Sequence, residues 1–251
     1  MARYAKEEGV YANPVPRLTD PDAKAYVTTA LLALNVVVFL AMVFSGASPL
    51  QPGTDVLRRF GGSWGYALFA QQWRLLTATY VHAGIIHIGF NMWCLWDLGG
   101  LAERIYDRWV FFLIYTCCGL AGSLAATWSQ PRAITVGASG AVFGLAGALI
   151  SALYLGKLPV SKFAIQSTLK SLLMFAGYNL VFGAIVPYIS NSAHIGGFVT
   201  GLALGAVLAP SLTSPSPKRQ LWSFAAIAVC GLLLYGGFTF IRYIFIRAVS
   251  G

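Results

Sequence analysis

A serine among small residues, Gly137-Ala138-Ser139-Gly140, and a scarce set of three histidines, His82, His87 and His194, are the side chains whose pairing could do chemistry in this chain. Serine with histidine is the smallest set for nucleophilic acyl transfer. A hydroxyl is a weak nucleophile at neutral pH, and an imidazole within hydrogen-bond reach takes its proton and later returns it to the leaving amine. The oxyanion that develops needs donors already in place. Asn91, one turn from His87, the His87 ring itself and the backbone N–H groups at a helix start near Ser139 meet that need.

The elements that must position these residues are apolar. Of 251 residues, 57% are hydrophobic and 10% charged, which describes a polytopic membrane protein rather than a soluble domain. The formal charge of +9 comes from basic residues scattered between apolar runs, which excludes a nucleic-acid footprint and reads as a membrane-orientation signal. Four cysteines, Cys94, Cys117, Cys118 and Cys230, fall inside apolar segments without metal-ligand spacing.

In chain order, residues 1–24 read as a flexible arm and about 27–44 as a first, retained helix. Residues 46–80 are too polar to span and read as a structured loop at the membrane interface. Spans follow at about Val81 to Trp96, Trp109 to Trp128, and Ser139 to Leu155. The uncharged stretch from Ser171 to Pro217 must fold as two helices, about Ser171 to Val186 and Ala193 to Leu208, broken by Pro187 and Ser190-Asn191-Ser192. A Pro/Ser linker with Lys218 and Arg219 precedes a seventh helix, about Leu221 to Phe240. The expected division is an arm (1–24), a membrane core of six helices (25–210), and a linker with a seventh helix (211–251).

With seven spans and a cytoplasmic N-terminus, eleven of the 17 basic residues fall inside and Arg58, Arg59, Arg74, Arg132, Arg242 and Arg247 fall outside, in keeping with the positive-inside rule. Ser139, His194, His87 and Asn91 then gather near the outer surface. The fourth helix, about 26 Å long against a hydrocarbon core of about 30 Å, sinks its first residue below that surface. Asp97 and Glu103 belong to the opposite face, so the spacing predicts a Ser-His dyad without a carboxylate, with the ring of Phe143 orienting His194. Gly140, Gly144 and Gly147 on one helix, and Gly197 and Gly201 beside His194 on another, allow close approach of the two.

Together these residues resemble the rhomboid intramembrane serine proteases. The resemblance runs from about Gln71 to Gly205 through Trp73-Arg74, His82-x4-His87-x3-Asn91, Gly137-Ala138-Ser139-Gly140 and Ala193-His194-Ile195-Gly196-Gly197. It implies an all-α polytopic membrane protein with a six-helix core plus a seventh helix. Ser139 would be the nucleophile and His194 the general base, with His87 and Asn91 in the oxyanion hole. Gly137, Gly140, Phe143, Gly197 and Gly201 would shape the site. The substrates implied are transmembrane segments of other membrane proteins in the lipid bilayer, with no metal and no cofactor. Gly99-Gly100-Leu101-Ala102-Glu103-Arg104 looks like the family's loop after the second helix, and Phe143 stands where some members have Tyr. A bacterial plasma membrane is the simplest home, with the active site toward the outer face.

Each piece also has a structural reading: Ser139 as a helix N-cap, His82 as a structural or interfacial residue, and Trp73-Arg74 as an interface anchor. Two other functions compete with proteolysis, a catalytically silent client binder and a small transporter. The first has no need of both Ser139 and His194. The second lacks intramembrane carboxylates and an internal repeat.

Overall fold

The computed structural model describes residues 23–65, 70–186, 189–213 and 216–250. Most of the expected N-terminal arm, and Pro187, lie outside these residues. The chain is an all-α polytopic membrane protein. Among the described residues the helices are α1 (Tyr26–Phe44), α2 (Thr54–Arg59), α3 (Arg74–Thr77), α4 (Ile85–Ile105), α5 (Arg108–Ser129), α6 (Ser139–Leu155), α7 (Lys162–Ile185), α8 (Asn191–Leu208) and α9 (Ser216–Ser250). Among the described residues five segments are long and apolar enough to cross a membrane: α1, α5, α7, residues 191–211 beginning with α8, and residues 220–244 within α9.

Where an apolar run ends in turn residues, as in α1, α5 and α6, the helix lies where the sequence predicts it, to within a residue or so. Where a charge was expected to mark an end, the helix runs on. Helix α4 starts at Ile85, after Gly84 at φ +121°, and continues through Asp97 and Glu103, so Gly99 to Arg104 is helix rather than loop. Glu103 is buried because its carboxylate has work to do. It accepts hydrogen bonds from Val27 N (3.0 Å), Thr28 N (2.8 Å) and Thr28 Oγ1 (3.0 Å), with Arg108 Nε 3.7 Å away. It thereby caps α1, whose N-cap residue Ala25 has no side chain able to do so.

Helix α7 begins nine residues before the expected Ser171, its N-terminus closed by Ser161, whose hydroxyl accepts from Ala164 N (3.2 Å). Ser190 caps α8 in the same way through Ala193 N (3.3 Å), so Asn191 and Ser192 are helical rather than part of the break. Lys218 and Arg219 lie within α9 and not in a linker. That helix has 35 residues, about 52 Å of rise against a hydrocarbon core of about 30 Å.

Helix α6 is the centre of the bundle. Every residue from Gly140 to Leu149 is buried, the signature of an apolar helix enclosed on all sides. Helix α8 lies against it backbone to backbone: a Cβ at Gly197 would fall on the Gly140 carbonyl, and one at Gly201 on the Gly144 carbonyl. On the side of α5, a Cβ at Gly122 would come within 3.1 Å of the Gly140 Cα. Helix α9 runs parallel to α5. Val110, Ile114 and Cys117 line one small cavity with Ser223, Ala226 and Ile227, while farther along Leu124 meets Gly237 and clusters with Ile241. Helix α7 is the outlier, with only Leu172 and Ala176 buried.

Gly201→Ala is therefore expected to lower the unfolding free energy in detergent by about 2 kcal/mol or more, since the added methyl meets backbone that cannot turn aside. Gly231→Ala, where nothing lies within 4 Å, is expected to be neutral or to gain up to about 1 kcal/mol from helix propensity. Similar midpoints for the two variants would contradict the close approach.

Candidate active site

Ser139 is the first residue of α6, and Ala138 occupies the N-cap position with no side-chain cap hydrogen bond. Ser139 is thus not the N-cap of α6. The first N–H groups of α6 have no acceptor within the helix. Just upstream, Gly137 has φ +116°, and a Cβ there would sit 2.7 Å from His87 Cε1 and Nε2. Only glycine allows that turn and that contact together.

The segment leading into Ser139 is held by the loop that precedes α4. Ser63 and Thr135 exchange backbone hydrogen bonds (3.0 and 2.7 Å), Gly65 N donates to Pro131 O (2.8 Å) and Gly137 N to Ala78 O (2.8 Å). Within that loop Arg74 is buried, bonded to Gln71, to Arg58 O and to Gly62 O, with its guanidinium over Trp64 (4.8 Å) and Trp73 (4.4 Å). Trp73 is half exposed, as an interfacial anchor would be. Arg74 is instead the internal tie of the loop, which corrects the expectation for the pair.

His194, only 6% exposed, stands in the first turn of α8. Its ring lies flat on Phe143, centroids 4.1 Å apart and planes 6° apart. Phe143 is one turn along α6 from Ser139 on the same face, so the imidazole sits on the serine's side of that helix. The residues flanking the pair also meet: a Cβ at Gly140 would lie 3.3 Å from Ala193 O. His194 Nδ1 is buried with no hydrogen-bond partner among the described residues.

His87 is half-buried. Its Nδ1 accepts from Ala83 N (3.3 Å), so the neutral ring carries its proton on Nε2, the atom beside Gly137. Asn91, one turn on, donates through Nδ2 to His87 O (2.8 Å) and keeps its second amide proton. Gly197 and Gly201 serve the approach of α8 to α6 described above.

His82 is the residue whose place the sequence did not reveal. It is wholly buried rather than interfacial, packed edge-on to His87 with centroids 5.1 Å apart. Its Nδ1 lies 3.3 Å from Tyr80 O and its Nε2 accepts from Ala138 N (3.4 Å). As residues of one helix, positions five apart would diverge. The signal was Ala83-Gly84, where the positive φ at Gly84 breaks the helix and lets the two rings meet. Because His82 takes the Ala138 N–H, that amide cannot serve an oxyanion. Among the described residues no three of His, Cys, Asp and Glu gather as a metal-binding set.

A Rhomboid domain profile matches residues 70–211, a span that contains Ser139, His194, His87, Asn91 and His82. The chain belongs to the rhomboid family. It is 36% identical over 218 residues to Rhomboid protease GluP of Bacillus subtilis, covering 86% of this chain and 41% of that protein. It is 31% identical over 218 residues to RHOMBOID-like protein 7 of Arabidopsis thaliana (76% and 69%). With Rhomboid-type serine protease 2 of Emericella nidulans it shares 28% over 162 residues (64% and 31%). The chain thus spans less than half the length of GluP.

In this rhomboid, His82→Ala is expected to strand the Ala138 N–H and cost about 1–3 kcal/mol of stability, read as a lower unfolding midpoint in detergent. An unchanged midpoint would show that the imidazole is not an obligatory acceptor.

Proposed function

We propose that the chain is an intramembrane serine endopeptidase that cleaves transmembrane segments of other membrane proteins through a Ser139-His194 dyad. The observation that carries this reading is the stacking of His194 on Phe143, one turn from Ser139. Seven helices cross the bilayer, with the N-terminus cytoplasmic and the site toward the outer face of a plasma membrane. Residues 25–210 form the catalytic core, and the remainder adds the seventh span.

A substrate helix enters from the side and unwinds. Ser139 Oγ attacks the exposed carbonyl while His194 Nε2 takes its proton. The oxyanion is met by the His87 Nε2–H, the free Asn91 amide proton and the Ser139 backbone N–H, all fixed before reaction. His194 then gives the proton to the leaving amine, and water from the outer side hydrolyses the acyl-enzyme. Sequence similarity to GluP and to Rhomboid-type serine protease 2, both named as proteases, supports this reading.

Cleavage of a single-pass reporter in liposomes is expected to fall by at least about a thousandfold in Ser139→Ala and in His194→Ala. Undiminished cleavage by Ser139→Ala would overturn the assignment, and a wild type that binds the reporter without cutting it or reacting with a fluorophosphonate would favour a client-binding role.

A further inference from the structure

Three aromatic rings form a row across three helices. His194 of α8 lies on Phe143 of α6, and Phe143 in turn meets Phe175 of α7, centroids 5.3 Å apart and planes at 43°. Phe175 is half-buried on the narrow side of α7 that touches the core, between Leu172 and Ala176, the two buried residues of that helix. We propose that Phe175 is a positioning residue: it holds Phe143 against the imidazole, so that the seating of α7 on α6 sets the aim of the general base.

The reasoning starts from the unpartnered Nδ1 of His194. A histidine in a Ser-His-Asp triad is oriented by the carboxylate on that nitrogen. Here no hydrogen bond fixes the rotation of the ring, and flat contact with Phe143 takes over that role. A stack aims the imidazole only as well as the phenyl ring is itself held. The phenyl is itself buried, and on the side of α7 its aromatic neighbour is Phe175. Aromatic pairs at these separations favour particular relative orientations, so Phe175 restricts the tilt of Phe143 as well as filling space. Because α7 is the least buried of the core helices, a change in its seating reaches the base through two ring contacts.

This inference rests on the Ser139-His194 reading, and the experiment separates the two. Wild type, Phe175→Leu, Phe175→Tyr, Phe143→Leu and the double Leu variant are compared in liposomes for kcat and KM on a single-pass reporter and for the rate of fluorophosphonate labelling at Ser139. Phe175→Leu is expected to lower kcat and labelling together by about three- to tenfold, the range that an aromatic contact supports, with KM within about twofold. Phe175→Tyr keeps the ring and is expected to restore both. The double variant is expected to be no slower than Phe143→Leu alone, since Phe175 acts through Phe143. Unchanged or raised kcat, a change in KM alone, additive losses, or an equal loss in the Tyr variant would each overturn the proposal. Should Phe175→Leu fail to fold, Phe175→Met is judged by the same criteria. Ser139→Ala is the control: activity that survives it defeats the dyad, whereas activity that it abolishes but Phe175→Leu leaves intact defeats the aromatic row alone.

Discussion

Helices α6 and α8 meet where side chains are missing, and the rest of the molecule depends on that contact. In lipid there is little hydrophobic gain from pairing two helices, because hydrocarbon tails solvate apolar side chains as well as a neighbour does. Backbone contact supplies what remains: dispersion over a long seam and Cα–H groups facing carbonyl oxygens. Gly197 and Gly201 make the seam by leaving the Gly140 and Gly144 carbonyls uncovered. With the backbones that close, a side chain leaving the start of α8 lies across the face of α6 rather than beside it, and the ring stack between His194 and Phe143 becomes geometrically available. The same enclosure lets α6 be short. A helix surrounded by protein need not reach either surface, so its first residue can stand in a recess among polar groups.

The site is built from parts of unequal stiffness. On the side of Ser139, backbone hydrogen bonds with Ser63, Gly65 and Ala78 and the imidazole of His82 hold the segment 131–138 along its length, and Arg74 locks the loop that supplies them. Acyl transfer rewards such fixity, since small displacements of an attacking atom cost heavily in rate. On the other side α7 rests on a few residues and is otherwise bare. The molecule thus sets a lightly seated helix beside a tightly held segment.

Much of this was legible in the sequence, for physical reasons. The limits of α6 could be read because small residues and glycines bracket an unbroken apolar run, and the glycine spacing on α8 announced its partner. The ring of Phe143 could be named as the orienting group for His194 because no carboxylate is expected at that depth, and the two rings do stack. What could not be read were the long-range uses of polar groups. Glu103 and Asp97 looked like helix ends because charges usually leave the membrane, yet α4 runs on through both, and Glu103 is buried in protein where it serves the backbone of α1. Arg74 looked like an anchor because the loop's carbonyls that it gathers are invisible in one dimension. His82 looked peripheral because its acceptor role depends on Ala138, 56 residues away.

The cap that Glu103 places on α1 also bears on how the chain assembles. A helix normally closes its own N-terminus with a residue next door, and so matures as soon as it emerges. Here the acceptor for Val27 and Thr28 lies some 75 residues downstream, at the far end of α4. Until α4 has been made, the first turn of α1 lacks that acceptor. The closure of α1 therefore waits on a residue of another helix, and it ties the start of α1 and the end of α4 to the same end of the bundle.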